Sequence, residues 1–234
     1  MLNILVTGAS KGIGRQIAEE LKTCGNLFVT GRNKEALISI GAKDYCICDL
    51  ADSPEILGDF IEQNNINVLI NNAGEYIYGA IDKMKLDEIQ KIHKTNLIAP
   101  AYLISRAVPY MKAQRFGRII NIGSISGIMG EANASLYSSS KAGLMGLTKA
   151  LALELAEFNI TVNTINPGWV ETNLGTDSIE QSEFTKEEIL DCIPQKRFVT
   201  PDEIAKLAKY LISNDARGIT GQGINLCAGL SVGI

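Results

Sequence analysis

Histidine is scarce in this chain of 234 residues, which has only His93. A metal site needs several histidine, cysteine or carboxylate ligands at suitable spacing, and no acidic residue or thiol neighbours His93 along the sequence. A lone histidine in a predicted helix also counts against a serine hydrolase, which needs a histidine base beside its nucleophile. We therefore expect no metal site and no serine-hydrolase activity.

Clusters of basic residues and long apolar runs are also missing. The formal net charge is −4 and the isoelectric point about 5.2, whereas nucleic-acid binding normally needs a basic face. No apolar run approaches the roughly 18 residues that a membrane span requires. The start of the sequence has neither the basic region nor the apolar region of a signal peptide. We expect no nucleic-acid partner and no membrane association.

Cysteine occurs five times, an odd number, and its positions are scattered. This distribution does not indicate a disulfide framework, and it is typical of thiols in a reduced compartment. The sequence therefore predicts a cytoplasmic protein. The cysteines are Cys24, Cys46, Cys48, Cys192 and Cys227.

Short apolar segments recur along the chain and alternate with helical patterns. The segments are continuously apolar, which is typical of strands covered on both faces of a parallel sheet. Strand–helix alternation predicts an α/β fold, a Rossmann-like doubly wound parallel sheet of about seven strands with helices on both faces, and one domain over residues 1–234. The predicted strands are residues 3–8, 26–31, 44–50, 68–74, 118–124, 160–168 and 223–229.

Two segments depart from this alternation. Only about 17 residues separate Arg32 from Asp49, so the helix between the second and third strands must be short. Residues 173–198 are polar, and they follow a strand end directly. Long excursions at the carboxyl ends of parallel strands are usually binding loops, so we predict a substrate loop or lid there. A plain helical hairpin on the surface is the alternative.

Three glycines lie between the first predicted strand and the first predicted helix. Gly8, Gly12 and Gly14 have the spacing Gly-x-x-x-Gly-x-Gly. Glycine lets the backbone turn sharply and approach a ligand closely, while the start of the helix offers free N–H groups to a phosphate. The segment therefore predicts a dinucleotide-binding loop, with an ordinary tight turn as the alternative.

The end of the second strand indicates which dinucleotide binds. NAD-binding proteins typically carry an acidic residue there, to bind the ribose 2′-hydroxyl. This chain has Gly31 and Arg32 instead, and Lys11 lies in the glycine loop. Two cations at these places can bind the 2′-phosphate of NADP through charge-assisted hydrogen bonds. We predict NADP(H), although solvated surface cations would give the same pattern.

Taken together, the motifs resemble the short-chain dehydrogenase/reductase family over nearly the whole chain. The order of the motifs and the thirteen residues from Ser124 to Tyr137 match that family. The matching segments are TGASKGIG (7–14), CDL around Asp49, NNAG (71–74), KTNL around Asn96, NIGS ending at Ser124, YSSSK (137–141) and NPGWVET (166–172).

The resemblance implies a cofactor site and a catalytic set. Asp49 would contact the adenine, and Pro167, Gly168 and Thr172 would flank the nicotinamide. The catalytic residues would be Asn96, Ser124, Tyr137 and Lys141. The implied cofactor-binding residues are Gly8, Ser10, Lys11, Gly12, Ile13, Gly14, Arg32, Asp49, Leu50, Asn72, Ala73, Gly74, Tyr137, Lys141, Pro167, Gly168, Val170 and Thr172.

The Tyr137–Lys141 pair suits the reduction of a ketone. Four residues apart in a helix, the two side chains lie on one face, and a nearby ammonium favours ionisation of the phenol. We therefore expect Lys141 to lower the pKa of Tyr137 and make it a useful acid. Ser124, with Ser126 as the alternative, would donate a hydrogen bond to the carbonyl oxygen. Asn96 would hold a water beside Lys141, or else only occupy a helix kink or cap.

Among members of the family, the chain looks most like bacterial 3-oxoacyl-[acyl-carrier-protein] reductases. That likeness implies NADPH-dependent reduction of a 3-oxoacyl thioester in fatty-acid synthesis, contact with the carrier protein through Arg115, and a homotetramer or homodimer. Thr176 stands where a second cation is expected, and Cys227 begins a departure from the usual Asn-Gly-Gly. A reductase of a small free ketone, sugar or polyol remains an alternative, as does a non-catalytic NADP-binding scaffold.

Overall fold

Seven parallel strands form one sheet in this computed structural model, which describes residues 1–181 and 184–232. The order across the sheet is β3-β2-β1-β4-β5-β6-β7, and every neighbouring pair is parallel. The strands are β1 (Asn3–Val6), β2 (Asn26–Gly31), β3 (Asp44–Ile47), β4 (Val68–Asn71), β5 (Gly117–Ile122), β6 (Ile160–Pro167) and β7 (Gly223–Leu226).

Ten α-helices connect or follow these strands in the described part of the chain. A single π-helical turn, Lys94–Ile98, joins the fourth helix to the fifth. The helices are α1 (Gly12–Leu21), α2 (Lys34–Ile38), α3 (Pro54–Gln63), α4 (Leu86–His93), α5 (Ala99–Gln114), α6 (Ser126–Met129), α7 (Ser135–Leu155), α8 (Asn173–Gln181), α9 (Lys186–Cys192) and α10 (Pro201–Ile212).

Both faces of the sheet are covered, as the continuous apolar strands predicted. Successive side chains of a strand point to opposite faces. In β1, Ile4 packs in the apolar cluster that includes Ile17 of α1 and Ile204 of α10. The next residue, Leu5, packs in the other cluster, which includes Leu57 of α3 and further residues of α5. The doubly wound α/β fold is therefore confirmed.

Each predicted strand exists, but several end earlier than predicted. The first was expected to run to Gly8 and ends at Val6. Thr7 still donates its N–H to the Ile70 carbonyl at 3.0 Å, whereas Gly8 turns to a φ of +65° and leaves the strand. The third, fourth, fifth and seventh strands also end at least two residues earlier than predicted. The residues that follow the third, fourth and fifth strands line a cleft at the carboxyl ends of the strands.

Local signals account for the helix boundaries. Thr200 accepts a hydrogen bond from the Glu203 N–H, and the Glu203 carboxylate accepts one from the Thr200 N–H, so α10 begins with a capping box. Pro201 occupies its first turn, where no backbone donor is needed. The short second crossover is confirmed, because α2 has only five residues.

The polar segment 173–198 contains α8 and α9, and its residues 182 and 183 lie outside the described residues. Two helices in sequence agree with either a lid or a helical hairpin. None of the helices in the described ranges is both long and apolar enough to cross a membrane.

Candidate active site

A cleft of about 1260 Å³ opens at the carboxyl ends of the strands. The chain runs outward from β1 to β3 and then returns to β4 on the other side of β1, so the strand order reverses between β1 and β4. In open α/β sheets this reversal is where ligands bind. All eighteen residues proposed above as cofactor-binding line the cleft, and so does Ser124. Asn96 lies behind its wall.

The glycine loop is shaped by contacts that exclude side chains. A Cβ added at Gly8 would lie 2.8 Å from Ala73 Cα, and Gly8 has a φ of +65°. A Cβ at Gly14 would overlap the Gly8 carbonyl and the Asn72 side chain. Asn72 Nδ2 donates to the Thr7 carbonyl at 2.9 Å, so the NNAG segment holds the loop in place. Only glycine fits at either position.

Thr7 and the start of α1 also prepare the glycine loop for a ligand. Thr7 Oγ1 accepts hydrogen bonds from the N–H groups of Asn72 and Ala73, at 2.9 and 3.0 Å. Within the described residues, α1 has no side-chain cap and no acidic residue in its first turn. Its first N–H groups are therefore available to a phosphate. Thr7 was not predicted, although it stands directly before the first glycine.

Arg32 lies at the end of β2, where the sequence analysis expected a cation. Its Nη1 is 3.2 Å from Asp49 Oδ2 and 3.8 Å from Glu75 Oε1. Lys91 Nζ is 3.2 Å from the same oxygen of Glu75. The pKa of Asp49 is lowered, first by the hydrogen bond from the Ala51 N–H and also by Arg32. A bound 2′-phosphate must therefore share Arg32 with two carboxylates.

Glu75 and Lys91 were missed by the sequence analysis. Glu75 directly follows the NNAG segment, so its position was the signal that could have revealed it. Lys91 lies on α4, and the sequence alone does not show which side of this helix faces the cleft.

Tyr137 and Lys141 lie one turn apart on α7, as their spacing predicted. Lys141 Nζ donates to the Ile122 carbonyl at 2.7 Å and is 5.6 Å from the centre of the Tyr137 ring. Lys141 is 4% exposed, and this burial lowers its pKa to about 8. An ammonium with such a pKa is readily converted to the neutral amine near physiological pH.

Burial dominates the ionisation of Tyr137 in the protein without cofactor. It raises the pKa of Tyr137 to about 12, while a hydrogen bond with Ser124 acts in the opposite direction and the Glu131 carboxylate raises the pKa further. The expectation that Lys141 brings this pKa below its ordinary value is therefore not met here. The phenol is held in its acid form, which is the form that can donate a proton.

Ser124 follows β5, and it is 8% exposed. Its Oγ accepts a hydrogen bond from the Ser126 N–H and donates to Ser126 Oγ, both at 3.1 Å. Ser126 Oγ donates in turn to Glu131 Oε2 at 2.7 Å. Ser124 is the serine that is hydrogen-bonded to Tyr137, so it is better placed than Ser126 to reach a carbonyl oxygen beside that phenol.

Asn96 is fully buried in the π-helical turn between α4 and α5. Its Oδ1 accepts from the Glu75 N–H at 2.8 Å, and its Nδ2 donates to the Glu75 carbonyl at 2.9 Å and to Ser140 Oγ at 3.0 Å. A Cβ at Gly74 would lie 3.3 Å from Asn96 Oδ1 and 3.4 Å from Lys141 Nζ. Asn96 thus occupies a helix irregularity and also lies close to Lys141.

The wall facing Tyr137 contains residues that the sequence analysis did not single out. Tyr76 Oη donates to Glu131 Oε1 at 2.6 Å. The rings of Tyr76 and Tyr137 meet edge to face, with centroids 5.0 Å apart and planes at 72°. Glu131 is the only charged residue between Ser124 and Tyr137, and that was a usable signal.

Trp169 also lines the cleft. Trp169, the only tryptophan of the chain, stacks on Phe198 at 6.2 Å with an angle of 28° between the planes. Trp169 directly follows Gly168, which was expected beside the nicotinamide. Its fluorescence therefore reports on this end of the cleft.

Arg115 does not lie at the cleft mouth of its own chain. It ends α5 with a φ of +50°, two residues before β5 begins, so it lies at the amino edge of the sheet, opposite the cleft. Its Nη2 donates to the Glu157 carbonyl at 2.7 Å. A carrier protein at the mouth could meet Arg115 only if a second copy of the chain supplied it.

Comparison with known proteins agrees with this geometry. A family model described as Enoyl-(Acyl carrier protein) reductase matches residues 8–231. The chain is 38% identical over 232 residues to the 3-oxoacyl-[acyl-carrier-protein] reductase FabG of Rickettsia prowazekii (strain Madrid E), covering 97% of this chain and 95% of the relative. The chain belongs to the short-chain dehydrogenase/reductase family. As a member of that family it is an oxidoreductase acting on ketone and alcohol groups.

Solved structures of other family members superpose closely. Actinorhodin polyketide ketoreductase with NADPH has a TM-score of 0.91 and 35% identity, with 99% of this chain and 97% of that chain covered. YwfH, an NADPH-dependent reductase involved in bacilysin biosynthesis, has a TM-score of 0.92 and 30% identity, with 98% of each chain covered. These relatives belong to different pathways, so membership of the family leaves the substrate open.

Proposed function

We propose that the protein reduces the ketone of a 3-oxoacyl thioester to the 3-hydroxyacyl form, using NADPH. The observation that carries this proposal is that Tyr137, Lys141 and Ser124 line the same cleft as the glycine loop. Similarity to the Rickettsia FabG over nearly the whole chain supports the thioester as substrate.

The cofactor is NADP(H), and the cleft fits it. The cradle at Gly8 and Gly14 leaves room for a pyrophosphate where any side chain would intrude, and the free N–H groups of α1 point into it. Arg32 and Lys11 would bind the 2′-phosphate, and the residues around Gly168 would bind the nicotinamide. When bound, the cofactor supplies the hydride that is transferred to the ketone carbon.

The protein's own residues orient the ketone and supply the proton. Ser124 donates a hydrogen bond to the carbonyl oxygen, where negative charge develops. Tyr137 transfers its phenolic proton to that oxygen as the C–O double bond becomes a single bond, which leaves a phenolate. Lys141 stabilises this phenolate and returns a proton to it. Its pKa of about 8 suits this exchange at neutral pH.

Asn96 connects the site to solvent in this proposal. Its Oδ1 and Lys141 Nζ both lie within 3.4 Å of the position that a Cβ at Gly74 would take. A water held there by Asn96 would return a proton to Lys141. A non-catalytic scaffold has no use for this buried arrangement, which counts against that alternative.

Residues 173–198 are proposed to cover the substrate. Phe184, Glu188 and Ile189 of this segment line the cleft. Phe184 is 61% exposed, so an acyl chain entering the cleft would bury apolar surface that is now open to solvent.

A small uncharged ketone is the second candidate substrate, and the charge of the lid favours it. Residues 171–191 contain seven acidic residues and one lysine, and Thr176 stands where a second cation was expected. Within the described part of the chain, five of these acidic side chains are exposed, and they would repel an acidic carrier protein; they are Glu171, Glu180, Glu187, Glu188 and Asp191. The acidic residues are Glu171, Asp177, Glu180, Glu183, Glu187, Glu188 and Asp191.

An oligomer packed through the helices containing Asn96 and Tyr137 remains a prediction. Leu153 on α7 is 85% exposed, and Ile98, two residues after Asn96, is 56% exposed. Burial of these side chains between copies would stabilise an interface by the hydrophobic effect. A homotetramer or homodimer would also allow Arg115 of one copy to approach the cleft of another.

The proposed function is tested by following NADPH absorbance with three ketones. These are acetoacetyl thioester on a carrier protein, the N-acetylcysteamine thioester of acetoacetate, and free uncharged ketones, with NADH as the control cofactor. We expect oxidation of NADPH with both thioesters. No oxidation with either thioester would overturn the substrate assignment, and turnover with the small thioester alone would favour a free substrate. A preference for NADH would overturn the roles given to Arg32 and Lys11.

A further inference from the structure

Glu131 places a carboxylate in the wall of the active site without a cationic partner. Within residues 1–181 and 184–232, no lysine, arginine or histidine forms an ion pair with it. Both of its oxygens accept hydrogen bonds from neutral hydroxyls, Tyr76 Oη at 2.6 Å and Ser126 Oγ at 2.7 Å. Carboxylates in partly buried positions are normally paired, so a negative charge kept here needs an explanation.

The two donors connect Glu131 to both groups that act on the ketone. Tyr76 packs its ring edge to face against Tyr137, and Ser126 is hydrogen-bonded to Ser124 through its N–H and its hydroxyl. The Tyr76–Glu131 bond joins residues 55 positions apart, so it also ties the loop after β4 to the loop after β5. Asn133 Nδ2 donates to Tyr78 Oη at 3.1 Å and adds to the same connection.

We propose that Glu131 is a positioning residue that acts on Tyr137 in two ways, by holding Tyr76 against its ring and by opposing ionisation of its phenol. This inference rests on the proposed function of the same site. The charge biases the resting protein toward the protonated tyrosine, which is the form that a ketone reductase needs before each turnover. The hydrogen bonds keep that tyrosine at a fixed distance from Ser124.

The charges that face Tyr137 come from few elements. Lys141, on its own helix, favours the phenolate, and the positive charge of the oxidised nicotinamide would do the same. Glu131, from the loop after β5, opposes it. Tyr76, from the loop after β4, stays protonated, because burial and its bond to Glu131 raise its pKa far above the usual range. Glu131 is therefore the group whose removal should shift the balance toward phenolate.

The direction of the effect follows from the two reactions. Reduction needs the phenol, so its rate falls as the pH rises through the pKa of Tyr137. Oxidation of the 3-hydroxy product needs the phenolate, so its rate rises through the same pKa. Removing the negative charge at residue 131 lowers this pKa. Both limbs of the pH profiles, the fall of the reduction rate and the rise of the oxidation rate, then move to lower pH.

The test compares Glu131→Gln, which removes the charge but keeps the length, with Glu131→Asp, which keeps the charge. Initial rates are measured in both directions between about pH 6 and pH 11, with NADPH and any ketone that the wild type reduces, and with NADP and the matching alcohol. The rising limb of oxidation carries the comparison, because the pKa of Tyr137 is about 12 without cofactor and the oxidised nicotinamide lowers it. For the glutamine variant we expect both limbs to move down by about half to one pH unit, so oxidation at neutral pH gains roughly threefold to tenfold. The aspartate variant should keep the wild-type limbs.

Tyr76→Phe separates the two parts of the proposal, because it removes the hydrogen bond and keeps both the ring and the charge. We expect turnover to fall a few-fold without movement of the limbs to lower pH, and NADPH binding, followed by Trp169 fluorescence, to stay unchanged. An equal loss at every pH for Glu131→Gln, or no change at all, would overturn the proposed charge effect. A full-rate Tyr76→Phe variant would overturn the positioning effect. Because any reducible ketone serves, failure with thioesters alone leaves this test intact.

Discussion

The two walls of the cleft differ in the chemical groups that form them. The wall that faces the cofactor consists of backbone and small residues, with Gly8, Gly14 and Ala73 in van der Waals contact and Asn72 bonded to the loop. The wall proposed to face the substrate contains large polar side chains, among them Tyr76 and Glu131, which are hydrogen-bonded to each other. One wall is a backbone surface whose shape fits a dinucleotide, and the other presents hydroxyl and carboxylate groups.

This difference separates what binds from what reacts. Changes in the cofactor wall should act first on NADPH affinity, and changes at the catalytic end should act on turnover while affinity is kept. Trp169, the only tryptophan, allows the two to be measured separately, because NADPH bound beside it should quench its fluorescence whether or not the reaction proceeds.

The largest expected effect is that of Tyr137→Phe, which keeps the ring and removes the proton donor. Turnover should fall by about 10³-fold, because general acid catalysis contributes roughly 10²–10⁴-fold. NADPH affinity, measured by Trp169 fluorescence, should stay within about twofold, since no phosphate contact is lost. Turnover near the wild-type level would show that another group donates the proton. The assignment of the reaction to the catalytic end of the cleft would then be wrong.

In the cofactor wall, Gly14→Ala should weaken NADPH binding by about tenfold to hundredfold, because an added methyl overlaps Gly8 and Asn72 and overpacking costs about 1–3 kcal/mol. Gly146→Ala is the matched control. Gly146 lies on α7 with no atom within 4 Å of its added Cβ, and alanine favours a helix there. Fluorescence titration of both variants with NADPH gives the comparison. Equal affinities would mean that the loop can shift to accept the methyl.

The same contrast explains how far the sequence could be interpreted. Continuously apolar segments such as NILV and VLIN predicted the parallel strands, because both faces of each strand are buried. The glycine spacing predicted the cofactor wall, because a close backbone approach leaves glycine as the one residue that fits. Tyr137 and Lys141 were found because a helix fixes their relative position. Each of these features depends on residues that are near one another in the chain.

The substrate wall was missed for the opposite reason. Tyr76 and Glu131 are 55 residues apart, and their hydrogen bond depends on how two loops meet at the end of the sheet. Glu75 and Lys91 also lie on separate elements, and only the fold brings them beside Arg32. The predicted direction of the Tyr137 pKa shift was wrong for the protein without cofactor. The four-residue spacing revealed the nearby lysine, but it could not reveal the burial that raises this pKa.

Substitution of Arg32 tests whether this residue recognises the 2′-phosphate of the cofactor. Arg32→Ala should weaken NADPH binding by about tenfold, because it removes a charge-assisted contact worth about 1.5–3 kcal/mol. The loss lies at the lower end of that range, since Asp49 and Glu75 already share the guanidinium. NADH binding should change little, since NADH lacks the 2′-phosphate. Glu75→Gln is the converse variant and should tighten NADPH binding slightly, by releasing Arg32. Loss of both cofactors to the same degree would assign Arg32 a structural role.

The smallest expected effect concerns the acidic lid, and it tests whether the substrate arrives on a carrier protein. Asp191→Asn combined with Glu187→Gln removes two exposed charges from α9, while Asp44→Asn combined with Asp215→Asn removes two exposed charges at the amino edge of the sheet, away from Arg115. At low salt, the lid variant should lower the KM for a carrier-bound substrate by about twofold to fivefold, because like charges slow association and salt screens them within about 10 Å. The edge variant, and either variant with the N-acetylcysteamine thioester, should behave like wild type. A lid variant that leaves the carrier-bound KM unchanged would mean that the acidic surface does not face the carrier, and the lid charge would then no longer favour a free ketone over a carrier-bound thioester.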